Sequence, residues 1–256
     1  MSATRPMEPA PPALLLETVS RRFGAVRAVL PMTLSVAAGE RRALLGANGA
    51  GKTTLFNVIA GDLPPSTGQI RMFGQDVTRL PTQRRIRLGM RRTYQTSLVF
   101  AGLTVRECLF LAERGLGDRR FSWRRAAHCP EMHAADRLAE RVGLERMRHI
   151  KAGALSHGEA RQLELGMATA GSPRLLLLDE PAAGLSLAER HRLIDLLRDL
   201  PRSLTLVMIE HDMDVALQSV DRVTVMHNGA VVTEGTPREI AADARVHDIY
   251  MGKHGT

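Results

Sequence analysis

Gly46-Ala47-Asn48-Gly49-Ala50-Gly51-Lys52-Thr53 decides how this chain reads. The stretch fits G-x-x-x-x-G-K-[ST], a spacing that serves phosphate binding when a strand precedes it and a helix follows. Arg41 to Leu45 reads as that strand, and Gly51 to Ala60 as that helix, closed by Gly61. Glycines at Gly46, Gly49 and Gly51 let the backbone curl, so that its N–H groups, those of Asn48 and Ala50 included, turn toward an anion. The helix N-terminus adds partial positive charge at the same spot. Lys52 is the candidate to neutralise β- and γ-phosphates, and the Thr53 hydroxyl the candidate to hold Mg²⁺. Thr54 is placed to donate to an α-phosphate. A glycine turn that merely ends a strand is the rival reading, and the strand–loop–helix context argues against it.

Such a loop needs an acidic partner for its metal. Leu175-Leu176-Leu177-Leu178-Asp179-Glu180 supplies one. The apolar run reads as a strand buried on both faces. Asp179 ends it on the edge where open α/β sheets bind ligands, and is the expected Mg²⁺ carboxylate. Glu180, the next residue, can polarise an attacking water.

Working outward, the 256 residues allow one or two domains, and 44% hydrophobic with 24% charged residues is ordinary globular usage. No apolar run approaches the ~18–20 residues that span a bilayer. Residues 1–12 are Pro-rich and polar and read as a floppy leader, not a secretory signal. Cys108 and Cys129 are too few for a disulfide scaffold and suggest a reducing compartment. The formal net charge is +8. Apart from Lys52, Lys151 and Lys253 every basic residue is arginine, a bias that points to genome composition more than to recognition. The surplus concentrates at Arg84, Arg85, Arg87, Arg91, Arg92 and at Arg119, Arg120, Arg124, Arg125. A basic surface there would suit nucleic acid, lipid headgroups or a nucleotide, and charge alone does not choose.

Leu14 to Val19, Ala28 to Val36 and Ile70 to Phe73 read as strands ahead of and behind the loop. Thr104 to Arg114 and Glu131 to Val142 have helical periodicity, and no strand is evident between about Leu98 and Leu155. After this helical insert the chain returns to alternation. Ser186 to Leu200 is an amphipathic helix, Leu204 to Ile209 and Val223 to Met226 are strands, and Asn228-Gly229 turns toward Val231 and Val232. Strands alternating with helices argue for a largely parallel sheet.

These residues and their order resemble the ATP-binding subunit of an ABC transporter, from about Leu14 to Gly252. Leu155-Ser156-His157-Gly158-Glu159 resembles the family signature usually written LSGGQ. Gln95 resembles the Q-loop glutamine, Ala183-Gly184-Leu185-Ser186 the D-loop, His211 the switch histidine, and Phe23 the aromatic that stacks on adenine. The resemblance implies an α/β P-loop NTPase core with a mainly parallel sheet, an antiparallel β subdomain and a helical insert. It places the core in 13–95 and 159–235, the helical subdomain in 96–158 and a C-terminal helical tail in 236–256. It implies an ATPase with Glu180, His211, Lys52 and Gln95 as catalytic residues and Thr53, Gln95 and Asp179 around Mg²⁺. Phe23, the loop residues, Ser156 and Gly158 would hold ATP, the last two reaching the nucleotide of a second subunit. The implied unit is a head-to-tail dimer with two ATP molecules at its interface.

The chain departs from the pattern at His157, at Glu159, which brings negative charge toward the opposing phosphates, and at Ser186, where the D-loop usually has aspartate. Ser156 with Glu159 is also a plain capping box for a helix over Gly158 to Ala168. The resemblance further implies docking on separate membrane permease subunits, through a groove here lined by Leu98, Val99 and Phe100, at the cytoplasmic face of a bacterial plasma membrane. A periplasmic or extracellular solute-binding protein would act indirectly, and nucleic acid is not an expected partner. Asp179-Glu180-Pro181-Ala182-Ala183-Gly184-Leu185, Ile209-Glu210-His211-Asp212-Met213 and the ending Asp248-Ile249-Tyr250-Met251-Gly252 resemble importers of branched-chain amino acids and related solutes. Leu155-Ser156-His157-Gly158 with Leu165-Gly166-Met167 is similar to the urea-importer branch, so urea or short amides are the alternative. A soluble ABC ATPase acting on ribosomes or DNA is a reading of another class, supported by the arginine clusters alone. His128, Cys129 and His133 offer soft metal ligands, but no fourth ligand follows at zinc spacing.

Overall fold

The computed structural model describes residues 11–94, 99–115 and 129–251. In chain order its strands are β1 (Leu14–Phe23), β2 (Val26–Val36), β3 (Arg41–Leu45), β4 (Thr67–Met72), β5 (Gln75–Asp76), β6 (Met90–Arg92), β7 (Leu175–Asp179), β8 (Thr205–Ile209), β9 (Arg222–His227) and β10 (Ala230–Gly235). Its helices are α1 (Lys52–Ala60), α2 (Thr82–Arg87), α3 (Val105–Arg114), α4 (Pro130–Arg141), α5 (His157–Thr169), α6 (Leu187–Asp199), α7 (Met213–Ser219), α8 (Pro237–Ala241) and α9 (Ala244–Met251). One sheet is antiparallel in the order β2-β1-β4-β5. The other runs β10-β9-β3-β8-β7-β6, parallel throughout except for β10.

The apolar runs explain the second sheet. Every residue of β3, β7 and β8 is buried, and their side chains alternate between two cores. Leu44, Leu175, Leu177, Val207 and Ile209 face the core they share with α1 and the antiparallel sheet. Ala43, Leu45, Leu176, Leu178, Leu206 and Met208 face the opposite core, closed by α6 and α7. Both faces of these strands are therefore covered, as the apolar runs Leu175–Leu178 and Leu206–Ile209 require. Ile240 of α8 and Val246 of α9 are buried in the same core, which ties the C-terminal segment to the sheet.

A third cluster holds the helical part, with Val105, Cys108 and Leu109 of α3 against Ala135, Leu138 and Ala139 of α4 and Leu163 of α5. Arg106 grips Asp136 through two contacts of 2.7 Å, joining α3 to α4. The fifth helix belongs to two cores, because its Leu165 and Ala168 face the sheet.

Sequence periodicity misses β5, β6, α2 and α7, all too short to show a period. It also stops β1 at Val19, whereas the strand continues to Phe23 as a bulged, half-exposed ribbon against β2. The arginine run 84–92 is only partly a basic surface, with Arg84 and Arg87 exposed and the others turned inward to different degrees. Arg85 is 1% exposed and donates to the carbonyls of Val58, Ile59, Leu80 and Thr78, closing the end of α1. The Arg92 side chain is turned inward as well, and Arg119, Arg120, Arg124 and Arg125 lie outside the described residues, as does most of the 1–12 leader.

Candidate functional site

The phosphate loop leaves the buried end of β3 and enters α1 without a side-chain cap. Gly51, at the N-cap, has φ 95°, and α1 has no acidic residue in its first turn. A Cβ at Gly51 would strike the Ala28 carbonyl, so glycine is required both for the left-handed backbone and for the close approach of β2. The turn between β9 and β10 also reaches this spot, with the Gly229 N–H donating to the Ala50 carbonyl at 3.0 Å. Lys52, 5% exposed, donates from Nζ to the carbonyls of Gly46 at 2.6 Å and Ala47 at 3.1 Å. The result is a cleft of about 710 Å³ lined by Asn48, Gly49, Ala50, Gly51, Lys52, Thr53 and Thr54, with Arg27, Asn228 and Glu180 around it. That volume lies within the range of small-molecule sites. Gly46 does not line the cleft. Its N–H donates to the Tyr250 hydroxyl at 2.8 Å, and burial pushes that phenol up to about 12.

The carboxylates stand where β7 ends. Asp179 is 2% exposed, and burial pushes its carboxyl up against the opposing pull of the Arg92 guanidinium. Its Oδ2 accepts from Arg92 at 2.9 Å, whereas its Oδ1 is buried without a hydrogen-bond partner among the described residues. Glu180 sits at φ 48°, a left-handed conformation unusual for a residue with a Cβ. Its carboxylate lies 3.6 Å from Nδ1 of His211, which stands half-exposed past the end of β8. Glu210 is fully buried beneath this pair, and burial pushes its carboxyl up. It accepts from the Ala182 N–H at 2.9 Å and the His211 N–H at 3.2 Å, tying the loop after Glu180 to the loop that carries His211. The Thr53 hydroxyl and the unsatisfied carboxylate oxygen of Asp179 are both hard-oxygen donors, the ligand chemistry that Mg²⁺ takes. Gln95, the other expected ligand, lies outside the described residues.

The signature segment is elsewhere on the surface. Ser156 caps α5, accepting from the Glu159 N–H at 3.3 Å, while the Glu159 carboxylate accepts from the Ser156 N–H at 2.8 Å. The helix begins one residue earlier than its pattern suggests, at His157. Ser156 and Gly158 line a cleft of about 190 Å³ that also contains Glu189. Hydrogen bonds from Ser186 and from the Gly158 N–H hold the Glu189 carboxyl below its usual range. Nε2 of His157 lies 3.1 Å from the Ala183 carbonyl, joining the signature segment to the loop after Glu180. Ser186 is the cap of α6 with Glu189 completing the box, a local reason for serine at that position.

The remaining expected residues divide. Phe23 is 44% exposed and does not line the phosphate cleft, and Arg21 stacks over its ring at 4.5 Å from the centroid. Of the apolar trio, Phe100 lines a groove of about 420 Å³ with Tyr94, Leu111 and Met167. Val99 packs into the helical cluster instead, and Leu98 lies outside the described residues. Sequence reasoning passes over Arg92, Glu210 and Tyr250. Arg92 is lost in an arginine-rich background, and the other two become informative only when folding brings them to the loop and the carboxylates.

A model of the family described as ABC transporter matches residues 29–183. The chain is similar to the high-affinity branched-chain amino acid transport ATP-binding protein BraF of Pseudomonas aeruginosa, 34% identical over 252 residues, covering 94% of this chain and 98% of that protein. It is similar to the corresponding protein LivG of Escherichia coli K12, 35% identical over 255 residues with the same coverage. Among solved structures, the ADP conformation of MJ1267, an ATP-binding cassette of an ABC transporter, matches with a TM-score of 0.84 and 29% identity. The match covers 94% of this chain and 99% of that one.

Proposed function

The chain belongs to the ABC transporter family as an ATP-hydrolysing member, and from that premise we propose that it powers import of branched-chain amino acids or related solutes through separate membrane permease subunits. One observation carries the ATPase chemistry: Glu180 shares a single cleft with Asn48 to Thr53 of the phosphate loop and with Thr54. The loop amides and the α1 N-terminus bind the phosphates, with Lys52 compensating β- and γ-phosphate charge. Thr53, Asp179 and Gln95 are the residues that would hold Mg²⁺, and a bound cation supplies neutralisation of the charge that develops on the leaving phosphate oxygens. Glu180 accepts a proton from the attacking water, and His211 beside it aligns that water and donates toward the γ-phosphate. Phe23 is the residue proposed to stack on adenine, through a ring that Arg21 covers on one face.

Ser156 and Gly158 open onto a cleft of their own, apart from the phosphate loop of the same chain. They therefore serve the nucleotide of a second ATPase subunit, in a head-to-tail dimer. Among the described residues no helix is long and apolar enough to cross a membrane, so docking falls to the groove at Tyr94 and Phe100. The chain would then sit peripherally on the cytoplasmic face, with a solute-binding protein acting on the far side of the permease. The importer identity rests on the named relatives BraF and LivG.

Mixing two dead variants tests the composite site. Ser156→Arg and Lys52→Ala should each abolish turnover alone. In a mixed dimer one site carries both lesions and the other carries neither, so ATPase activity should return in part on mixing, and wild-type specific activity should rise with protein concentration. Full, concentration-independent turnover by Ser156→Arg alone would show that one chain completes its own site.

A further inference from the structure

Arg92 ends β6, beside β7 in parallel register with Leu177, so its side chain reaches the carboxylate that ends β7. Its fork is divided between two acids. Nη1 lies 2.6 Å from Oδ2 of Asp62, in the loop after α1, and Nη2 lies 2.9 Å from Oδ2 of Asp179. Asp62 is itself held by the Thr82 hydroxyl at 2.6 Å. The Phe56 and Tyr94 rings flank the guanidinium at 5.8 and 4.8 Å, and the Arg92 side chain is only 5% exposed. Thr93 adds a second tether, since its hydroxyl accepts from the Asp179 N–H at 3.2 Å.

We propose that Arg92 is the positioning residue of the metal carboxylate, taking Oδ2 of Asp179 and thereby presenting Oδ1 to the cation. The physical consequence is geometric: a fork anchored on Asp62 through one nitrogen holds Oδ2 of Asp179 through the other, which a flexible ammonium with a single nitrogen would not do. Oδ1, unpartnered among the described residues, is the atom this arrangement leaves for Mg²⁺.

The inference rests on the Mg²⁺ reading above, and the test separates the two. Mn²⁺ is titrated into the ADP-loaded full-length protein, and free Mn²⁺ is read by its paramagnetic resonance signal. Loss of an outer partner of a metal ligand weakens metal binding by about 10–100-fold, and Arg92→Gln should raise the half-saturating Mn²⁺ by that factor while metal-free ADP binding in EDTA stays within about twofold. Arg92→Lys, which restores charge without the fork, should recover part of the loss. Asp62→Asn frees the anchor without touching Asp179 and should give a smaller shift in the same direction, which keeps the test open if Arg92→Gln does not fold. Wild-type half-saturation in folded Arg92→Gln, or in Asp62→Asn when only that variant folds, overturns the inference. So does a parallel fall in metal-free ADP binding, which would mark a merely structural arginine. Wild-type ADP retention that ignores Mn²⁺ altogether would overturn the Mg²⁺ reading itself.

Discussion

Two helix N-termini in this molecule are built in opposite ways. The first turn of α1 has no side-chain cap, no acid and a left-handed glycine at its N-cap, so its amides open onto the 710 Å³ cleft beside Lys52. The first turn of α5 satisfies itself, with Ser156 and Glu159 forming a reciprocal box and Glu189 accepting from the Gly158 N–H. Both ends carry the same partial positive charge, since the helix dipole does not depend on sequence. Side chains decide whether that charge is offered to a ligand or quenched at home. The α1 end is open to a ligand within one chain, whereas the α5 end, in the proposed dimer, would have to exchange its own acids for a partner's phosphates.

The contrast predicts large effects at the first end. Glu180→Gln keeps the shape beside the loop and loses the proton acceptor. Its kcat should fall by about 10²–10⁴-fold, the usual worth of a general base, with ATP affinity unchanged in a binding titration. Near wild-type turnover would place the base elsewhere. Lys52→Ala acts on binding instead. Loss of a charged hydrogen bond to phosphate costs about 1.5–3 kcal/mol, so ADP affinity of the isolated chain should weaken by roughly ten- to a hundredfold.

The α5 end should respond in stability first. Ser156→Ala removes the side-chain oxygen that accepts from the Glu159 N–H. The expected loss is about 1 kcal/mol in denaturant unfolding, the typical worth of such a cap. ADP affinity of the isolated chain should not change, because Ser156 and Gly158 line a cleft separate from the phosphate loop. Weakened ADP binding without loss of stability would reverse the contrast.

Legibility in the sequence follows the same division. The phosphate loop is contiguous, so its glycines, Lys52 and flanking elements can be read without knowing the fold, and the buried runs of β3, β7 and β8 give the parallel sheet directly. The environment of Asp179 cannot be read that way. Arg92, Thr93 and Glu210 reach this edge from two other strands and their loops, and nothing local distinguishes Arg92 from the five-arginine run that contains it. Tyr250 contacts Gly46 across 204 residues of chain. The elements missed, β5, β6, α2 and α7, are held by pairing and packing rather than by any period of their own.

The smallest predicted effect is also the one that separates the two roles of the α5 end. Glu159→Gln preserves the box, because glutamine serves the same geometry, but it removes one negative charge from the first helical turn. A carboxylate there is worth about 0.3–1 kcal/mol against the dipole, so the isolated chain should lose a few tenths of a kcal/mol in unfolding. In the proposed ATP-bound dimer the sign should reverse, because the same carboxylate would face the opposing phosphates. At an effective dielectric near that of a protein surface, relieving this repulsion is worth about 1 kcal/mol, or roughly fivefold in dimer affinity. Sedimentation of Glu180→Gln chains with ATP, with and without Glu159→Gln, measures that gain while hydrolysis is blocked. The gain should shrink as salt is raised, because the interaction is screened over about 8–10 Å. Lower stability with unchanged or weaker dimerisation would make Glu159 a cap alone, and would return the α5 end to the self-satisfied helix it resembles within one chain.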